Sequence, residues 1–187
     1  MAVILASQSP RRKELMGLFQ IPFTVRVADI DEAMDPEKPV YDEVARVSSQ
    51  KAAAVQAAPE DVVIAADTVV VCEGKVLGKP RDEEDAAAML RLLSGREHQV
   101  MTGMTVLHRG KTVCCTEVTQ IRFKLLTDRE IRAYIQTGEP MDKAGAYGIQ
   151  GGAALFVERI CGDYFNVVGL PVCKLGKILK EVMEEEA

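Results

Sequence analysis

The chain has 187 residues, 48% of them hydrophobic and 27% charged, the balance of an ordinary globular protein with material for one sizeable core. A formal net charge of −5 excludes a protein whose work is unspecific attraction to nucleic-acid backbones or anionic membranes, so any basic site is local. No run of about 18 apolar residues and no signal-peptide succession occurs, which points to a cytoplasmic protein without a membrane span.

The first element is a strand over Ala2 to Ala6, followed by a short polar turn and a helix opening at Pro10, with Ser9 as its N-cap. That helix runs to Phe19 and places Leu15, Leu18 and Phe19 at helical spacing. Phe23 to Ala28 alternates like a strand, and the acidic, proline-bearing segment Asp29 to Pro39 reads as a loop. A long helix follows from Asp42 to Ala57, its apolar face made by Val44, Val47, Ala52 and Val55, with Lys51 set among alanines. Val62 to Cys72 is a nearly continuous apolar run, the pattern of a strand covered on both faces.

Asp82 to Leu93 is helical and closes at Ser94-Gly95. Glu97 to Leu107 and Thr112 to Phe123 are strands joined by a hairpin turn at Arg109-Gly110. Thr127 and Glu130 form a capping box for a helix to Thr137. A glycine-rich loop, strand-like pieces at Ala154 to Ile160 and Tyr164 to Val168, and a helix from Pro171 to Glu184 complete the chain, with a frayed acidic end over 184–187. Adjacent strands in the middle demand hairpin pairing, so the expected fold is α/β or α+β with a mixed twisted sheet. Residues 1–187 read as a single domain with room for two lobes. The five cysteines, Cys72, Cys114, Cys115, Cys161 and Cys173, are odd in number and include no C-x-x-C pair, and read as reduced packing residues.

Three features resist a purely structural account. Arg11, Arg12 and Lys13 occupy the first turn of a helix, where the macrodipole disfavours each exposed cation by roughly 0.3–1 kcal/mol. Either they point into water, or an anion binds at the helix start and the arginines contact it as phosphate ligands. Asp67 interrupts an otherwise apolar strand, where an unpaired carboxylate costs several kcal/mol. It needs a cation: either it sits in a buried pair with an arginine or lysine, or it has a functional role as a metal ligand or a general base. Asp29, Asp31 and Glu32 could add a second carboxylate for magnesium or manganese.

Two loops add weaker signals. Lys79 sits in the tight turn Gly78-Lys79-Pro80. Asp142 to Gly152 carries four glycines, suited to close backbone approach, and Gln150, whose amide offers a donor and an acceptor to a base edge. The chain has neither a Walker A loop nor a G-x-G-x-x-G fingerprint, and His98 and His108 read as structural.

Taken together, Ser7-Gln8-Ser9-Pro10-Arg11-Arg12-Lys13-Glu14-Leu15, Ala66-Asp67-Thr68, Gly78-Lys79-Pro80, the segment from Ser94 to Gly103 and that from Lys143 to Gly151 resemble the Maf family of nucleoside triphosphate pyrophosphatases. The match runs in order from Leu5 to about Pro171, and Lys143 to Gly151 is similar to the branch acting on dTTP and UTP, not that associated with 7-methyl-GTP. The resemblance implies an elongated fold with a central cleft, akin to inosine triphosphatases, and hydrolysis of a nucleoside triphosphate to monophosphate and pyrophosphate with Mg2+ or Mn2+. It also implies a link to restraint of cell division, and a homodimer. It carries over Asp67 as general base, with Glu32 and Asp67 holding the metal. Ser7, Ser9, Arg11, Arg12, Lys51 and Lys79 are then placed around the phosphates, and Arg11, Thr68 and Gln150 at positions tied to substrate choice. The partner expected is the small-molecule substrate, with no nucleic acid and no membrane. A non-catalytic nucleotide sensor using the same pocket is the competing reading.

Overall fold

A computed structural model describes residues 1–184. Its strands are β1 (Val3–Leu5), β2 (Phe23–Val25), β3 (Val62–Cys72), β4 (Lys75–Leu77), β5 (Glu97–His108), β6 (Lys111–Phe123) and β7 (Val157–Cys161). The helices are α1 (Pro10–Gly17), α2 (Val40–Ala54), α3 (Glu83–Leu93), α4 (Asp128–Ile135), α5 (Tyr164–Val168) and α6 (Val172–Glu184). Three 3-10 turns lie over Glu139–Asp142, Ala144–Ala146 and Gly152–Phe156. The strands form one mixed sheet in the order β2-β1-β3-β5-β6-β7, with β4 paired to β3. β1 is parallel to β2 and β3, whereas β4 and β7 run antiparallel to β3 and β6. None of the described helices is long and apolar enough to cross a membrane.

The chain packs as two compact units. The first takes Met1–Asp67, Thr102–Glu117 and the chain from Gly169 onward. Its core sets Ile4, Ala6, Val63 and Ala65 against Ala52 and Val55 of the α2 region, with Ala28 and Leu107 alongside. Side-chain alternation explains the choice: residues two apart on a strand share a face, and these small and β-branched groups fit close beneath a helix. Gly103 allows that approach, because a Cβ there would collide with the Val44 carbonyl and the Ala45 amide. The second unit takes Thr68–Met101 and Val118–Val168. At its centre His98, Phe123, Tyr147, Phe156 and Tyr134 meet edge to face, with ring centroids 4.8–6.0 Å apart.

Most predicted elements form where the pattern places them. Ser9 caps α1, accepting the Arg12 amide at 3.5 Å, and the Thr127/Glu130 capping box is complete. The Arg109-Gly110 hairpin has positive φ at both residues, the geometry that suits right-twisted strands. Differences are confined to short segments. Tyr164–Val168 is a helical turn and not a strand; its β-branched and aromatic content is outweighed by Asn166, buried with its amide donating to the Val100 carbonyl and Thr119 Oγ1. Ala154–Phe156 is a 3-10 turn, so the following strand begins only at Val157. Strand β4 went unread because three residues give no period. Leu18 is 60% exposed, Met16 taking its place in the core. Among the cysteines, Cys72 is buried but Cys114, Cys161 and Cys173 are exposed, so packing does not account for those three. The frayed 184–187 end falls, but for the backbone of Glu184, outside the described residues.

Burial pushes the His98 imidazole down to about 4 from its ordinary 6.5. The folded chain therefore holds it neutral, while the unfolded chain protonates it near pH 6.5. Its contribution to stability is complete above that pH and falls away as pH drops toward 4, by up to about 3 kcal/mol. His98→Gln is expected to flatten this part of the profile, measured as urea midpoints at pH 7 and pH 4.5; an identical acid loss in both proteins would contradict the assignment.

Candidate active site

The site residues of the first unit follow from the parallel pairing of β1 with β3. Leu5, the last residue of β1, lies opposite Ile64, so Ser7 leaves the carboxyl end of β1 while Asp67, three residues past Ile64, stands in the middle of β3, which continues to Cys72. The turn after the carboxyl end of β1 is the kind of place where open parallel sheets hold ligands. Ser7 is buried, and its Oγ accepts from the Ser9 amide at 3.2 Å and from Arg12 Nη1 at 3.3 Å.

The cations of the first turn of α1 separate in role. No acidic residue shares that turn. Lys13 is exposed, consistent with solvation of its charge. Arg12 instead folds back, its Nε donating to the Gly169 carbonyl at 2.8 Å and its Nη1 to Ser7. Burial pulls the Arg12 pKa below its ordinary value; the Asp67 charge opposes this, Arg11 adds to it, and Glu32 opposes it again. An arginine nonetheless keeps its charge in a protein. Arg11, half-buried beside it, belongs to the same electrostatic group.

Asp67 finds its cation in Lys51. The Lys51 ammonium donates to Asp67 Oδ1 at 2.7 Å and lies 2.9 Å from Glu32 Oε2, bridging the two carboxylates. Lys51 belongs to the inner stripe of α2, four residues after Val47 and three after the buried Ser48, which aims its stem inward. Its side chain is 14% exposed and that of Asp67 12%, whereas Glu32 is 58% exposed.

The loop bearing Glu32 is held by a pair that sequence inspection passed over. Glu43, 2% exposed, receives Arg46 Nε at 2.9 Å and Nη2 at 2.7 Å, and its Oε2 accepts the Asp35 amide at 2.8 Å. Arg46 Nη2 also donates to the Ala33 carbonyl at 2.7 Å. These bonds push the Glu43 carboxyl down to about 2, the Arg46 contact first among the causes. The available signal was an i,i+3 Glu-Arg pair at the start of a helix, too common to single out. Of the other loop acids, Asp31 serves locally, accepting the Ala33 amide at 2.9 Å.

The donor set fits a hard divalent cation. Two carboxylates already converge on one positive charge, and magnesium is commonly held by one or two protein carboxylates with the rest of its shell left to water and phosphate oxygens. No group of three or more His, Cys, Asp and Glu that could hold a metal occurs among the described residues.

The remaining candidates lie in the second unit. Thr68 follows Asp67 directly on β3 and is half-buried, whereas Lys79 and Gln150 are exposed in loops. Those loops are tied together, the Gly145 amide donating to the Gly78 carbonyl at 3.0 Å. His98, with Nε2 2.8 Å from the Tyr147 hydroxyl, and His108, with Nδ1 3.3 Å from the Asp61 carbonyl, occupy structural positions.

Comparison with known proteins places this geometry in context. The model of the family described as "Maf-like protein" matches residues 2–182. A dTTP/UTP pyrophosphatase of Geobacillus sp. (strain WCH70) is 51% identical over 181 residues, covering 96% of this chain and 97% of the relative. One from Bacillus pumilus (strain SAFR-032) is 49% identical over 179 residues, 95% of each. A solved HAM1 protein from Coxiella burnetii superposes with a TM-score of 0.51 at 13% identity, covering 97% of this chain and all of that one, a likeness of fold.

Lys51→Met leaves two carboxylates facing each other without their shared cation and is expected to cost about 2–3 kcal/mol of stability. Adding Asp67→Asn should restore most of that loss in a double-mutant cycle; a coupling within about 0.5 kcal/mol of zero, the scatter of independent sites, would mean that the pair does not join α2 to β3.

Proposed function

Since the chain belongs to the family of Maf-like proteins, we propose that it is a nucleoside triphosphate pyrophosphatase cleaving dTTP and UTP to the monophosphate and pyrophosphate. The observation that carries the reading is the Lys51-bridged pair of Asp67 and Glu32 in the same unit as a tethered Arg12. Half-identity over nearly the full length to relatives called dTTP/UTP pyrophosphatases supports the choice of substrate.

Hydrolysis at the α-phosphorus forms one bond from a water oxygen and breaks the bond to the α,β-bridging oxygen, releasing pyrophosphate. Asp67 accepts the proton lost by the water. Negative charge grows on the equatorial and leaving oxygens, and fixed positive groups stabilise it most where water is scarce. Arg11, Arg12, Lys51 and Lys79 supply charge, and Ser7 and Ser9 supply hydroxyls, to the phosphates. Glu32 and Asp67 would hold a divalent cation, which when bound neutralises phosphate charge. Lys51 then exchanges its carboxylate partners for phosphate oxygen. Gln150 presents a donor and an acceptor to the edge that thymine and uracil share, with Thr68 and Arg11 contributing to substrate choice.

The test is pyrophosphate release with dTTP, UTP, CTP, GTP and 7-methyl-GTP in magnesium or manganese. The pyrimidines dTTP and UTP should be cleaved fastest, chelation by EDTA should stop turnover, and Asp67→Asn should lower kcat at least about 100-fold while triphosphate binding persists. A wild-type protein that binds dTTP but never releases pyrophosphate would instead be a nucleotide sensor. Fastest cleavage of a purine triphosphate would overturn the substrate assignment.

A further inference from the structure

The loop that carries Gln150 is gripped from beneath by two side chains outside every motif considered so far. The Gly148 amide donates to the Tyr134 hydroxyl at 3.0 Å, which donates onward to Glu139 Oε1 at 2.9 Å. The other carboxylate oxygen, Glu139 Oε2, accepts the Gly152 amide at 3.0 Å. Gly148 and Gly152 stand two residues before and two residues after Gln150, so one hydroxyl–carboxylate pair fixes both feet of the segment. We propose that Tyr134 and Glu139 are positioning residues for base selection, acting through the Gly148–Gly152 backbone on the Gln150 carboxamide; this rests on the function proposed above.

Packing supports the hydrogen bonds. A Cβ at Gly151 would collide with the Glu139 carboxylate, one at Gly148 would come within 2.6 Å of Lys143 Cε, and one at Gly152 within 3.3 Å of the Tyr134 ring. The three glycines are therefore the imprint of the side chains beneath them. Tyr134 is itself fixed, 5% exposed and edge-on to Phe156 at 5.2 Å, and burial pushes its hydroxyl pKa well up, so it remains a donor. Lys143 closes the arrangement, its ammonium donating to the Glu139 carbonyl and to Asp142 Oδ1, both at 2.7 Å. An exposed amide side chain on a glycine-rich loop has many orientations in reach, and a backbone anchored on both sides removes most of them.

The experiment compares Tyr134→Phe, which keeps the ring and deletes only the hydroxyl, with Glu139→Ala, Glu139→Gln and Gln150→Ala. The readouts are kcat/KM for dTTP, UTP and CTP, and amide hydrogen exchange over 148–152. Tyr134→Phe and Glu139→Ala are expected to raise KM for dTTP and to lower the dTTP-over-CTP preference about tenfold, in line with loss of a hydrogen bond or two. Exchange at the Gly148 and Gly152 amides should quicken. Glu139→Gln, which retains an acceptor, should recover part of the preference, and Glu139→Ala combined with Gln150→Ala should be no less selective than Gln150→Ala alone. An unchanged preference with a uniform fall in activity on all three substrates would overturn the positioning role and leave the proposed function standing. Absence of dTTP and UTP cleavage by the wild type would overturn both.

Discussion

An ammonium group standing between two carboxylates, Lys51 between Asp67 and Glu32, is the constraint on which the first unit depends. Neither Asp67 in the middle of a buried strand nor Lys51 on the inner stripe of a helix is tolerable alone, since each charge would lie unpaired in a poorly solvated place. Paired, they pin α2 to the middle of β3 and tie in the acidic loop through Glu32. The same contact concentrates opposite charges at one point without cancelling their use. Such a pair could re-form with phosphate on one side and a cation on the other, as the proposed function requires.

Around that contact, strand direction decides which residues can meet. The parallel register of β1 and β3 sets the end of the short β1 level with the first half of β3, so the Ser7–Arg12 turn begins beside the part of β3 that carries Asp67. The Glu43–Arg46 pair then stiffens the loop above. In the second unit the same logic appears in a different form, with Tyr134 and Glu139 holding glycine backbone in place of charged side chains. In both, the groups assigned to the proposed function rest on a polar pair, Glu43–Arg46 or Tyr134–Glu139, that is hydrogen-bonded within the chain.

How much of this could be read from sequence depended on the range of the interaction. β3 was legible because eleven residues of nearly unbroken apolar character allow few alternatives, and α4 because a capping box is a local bond pattern. Asp67 stood out against its apolar neighbours, and its need for a cation followed from solvation alone. Which cation was not legible, because Lys51 is sixteen residues away and the two meet only when α2 docks. Glu139 and Tyr134 left no signal, since their partners are backbone amides that every residue but proline possesses. The α5 turn was misread for a related reason, as five residues of strand-like composition cannot reveal that a buried asparagine will settle their conformation.

Arg12 illustrates a final point about timing. Its guanidinium is bound by the chain's own carbonyl at Gly169 and hydroxyl at Ser7, so its rotamers are surrendered when the protein folds. A long cation left waving in solvent would lose that freedom only on meeting its ligand, at roughly 0.5–1.5 kcal/mol for a side chain of this kind. The fold thus settles this entropy ahead of any encounter, and substituting lysine, which lacks the planar fork, would forfeit the arrangement while keeping the charge.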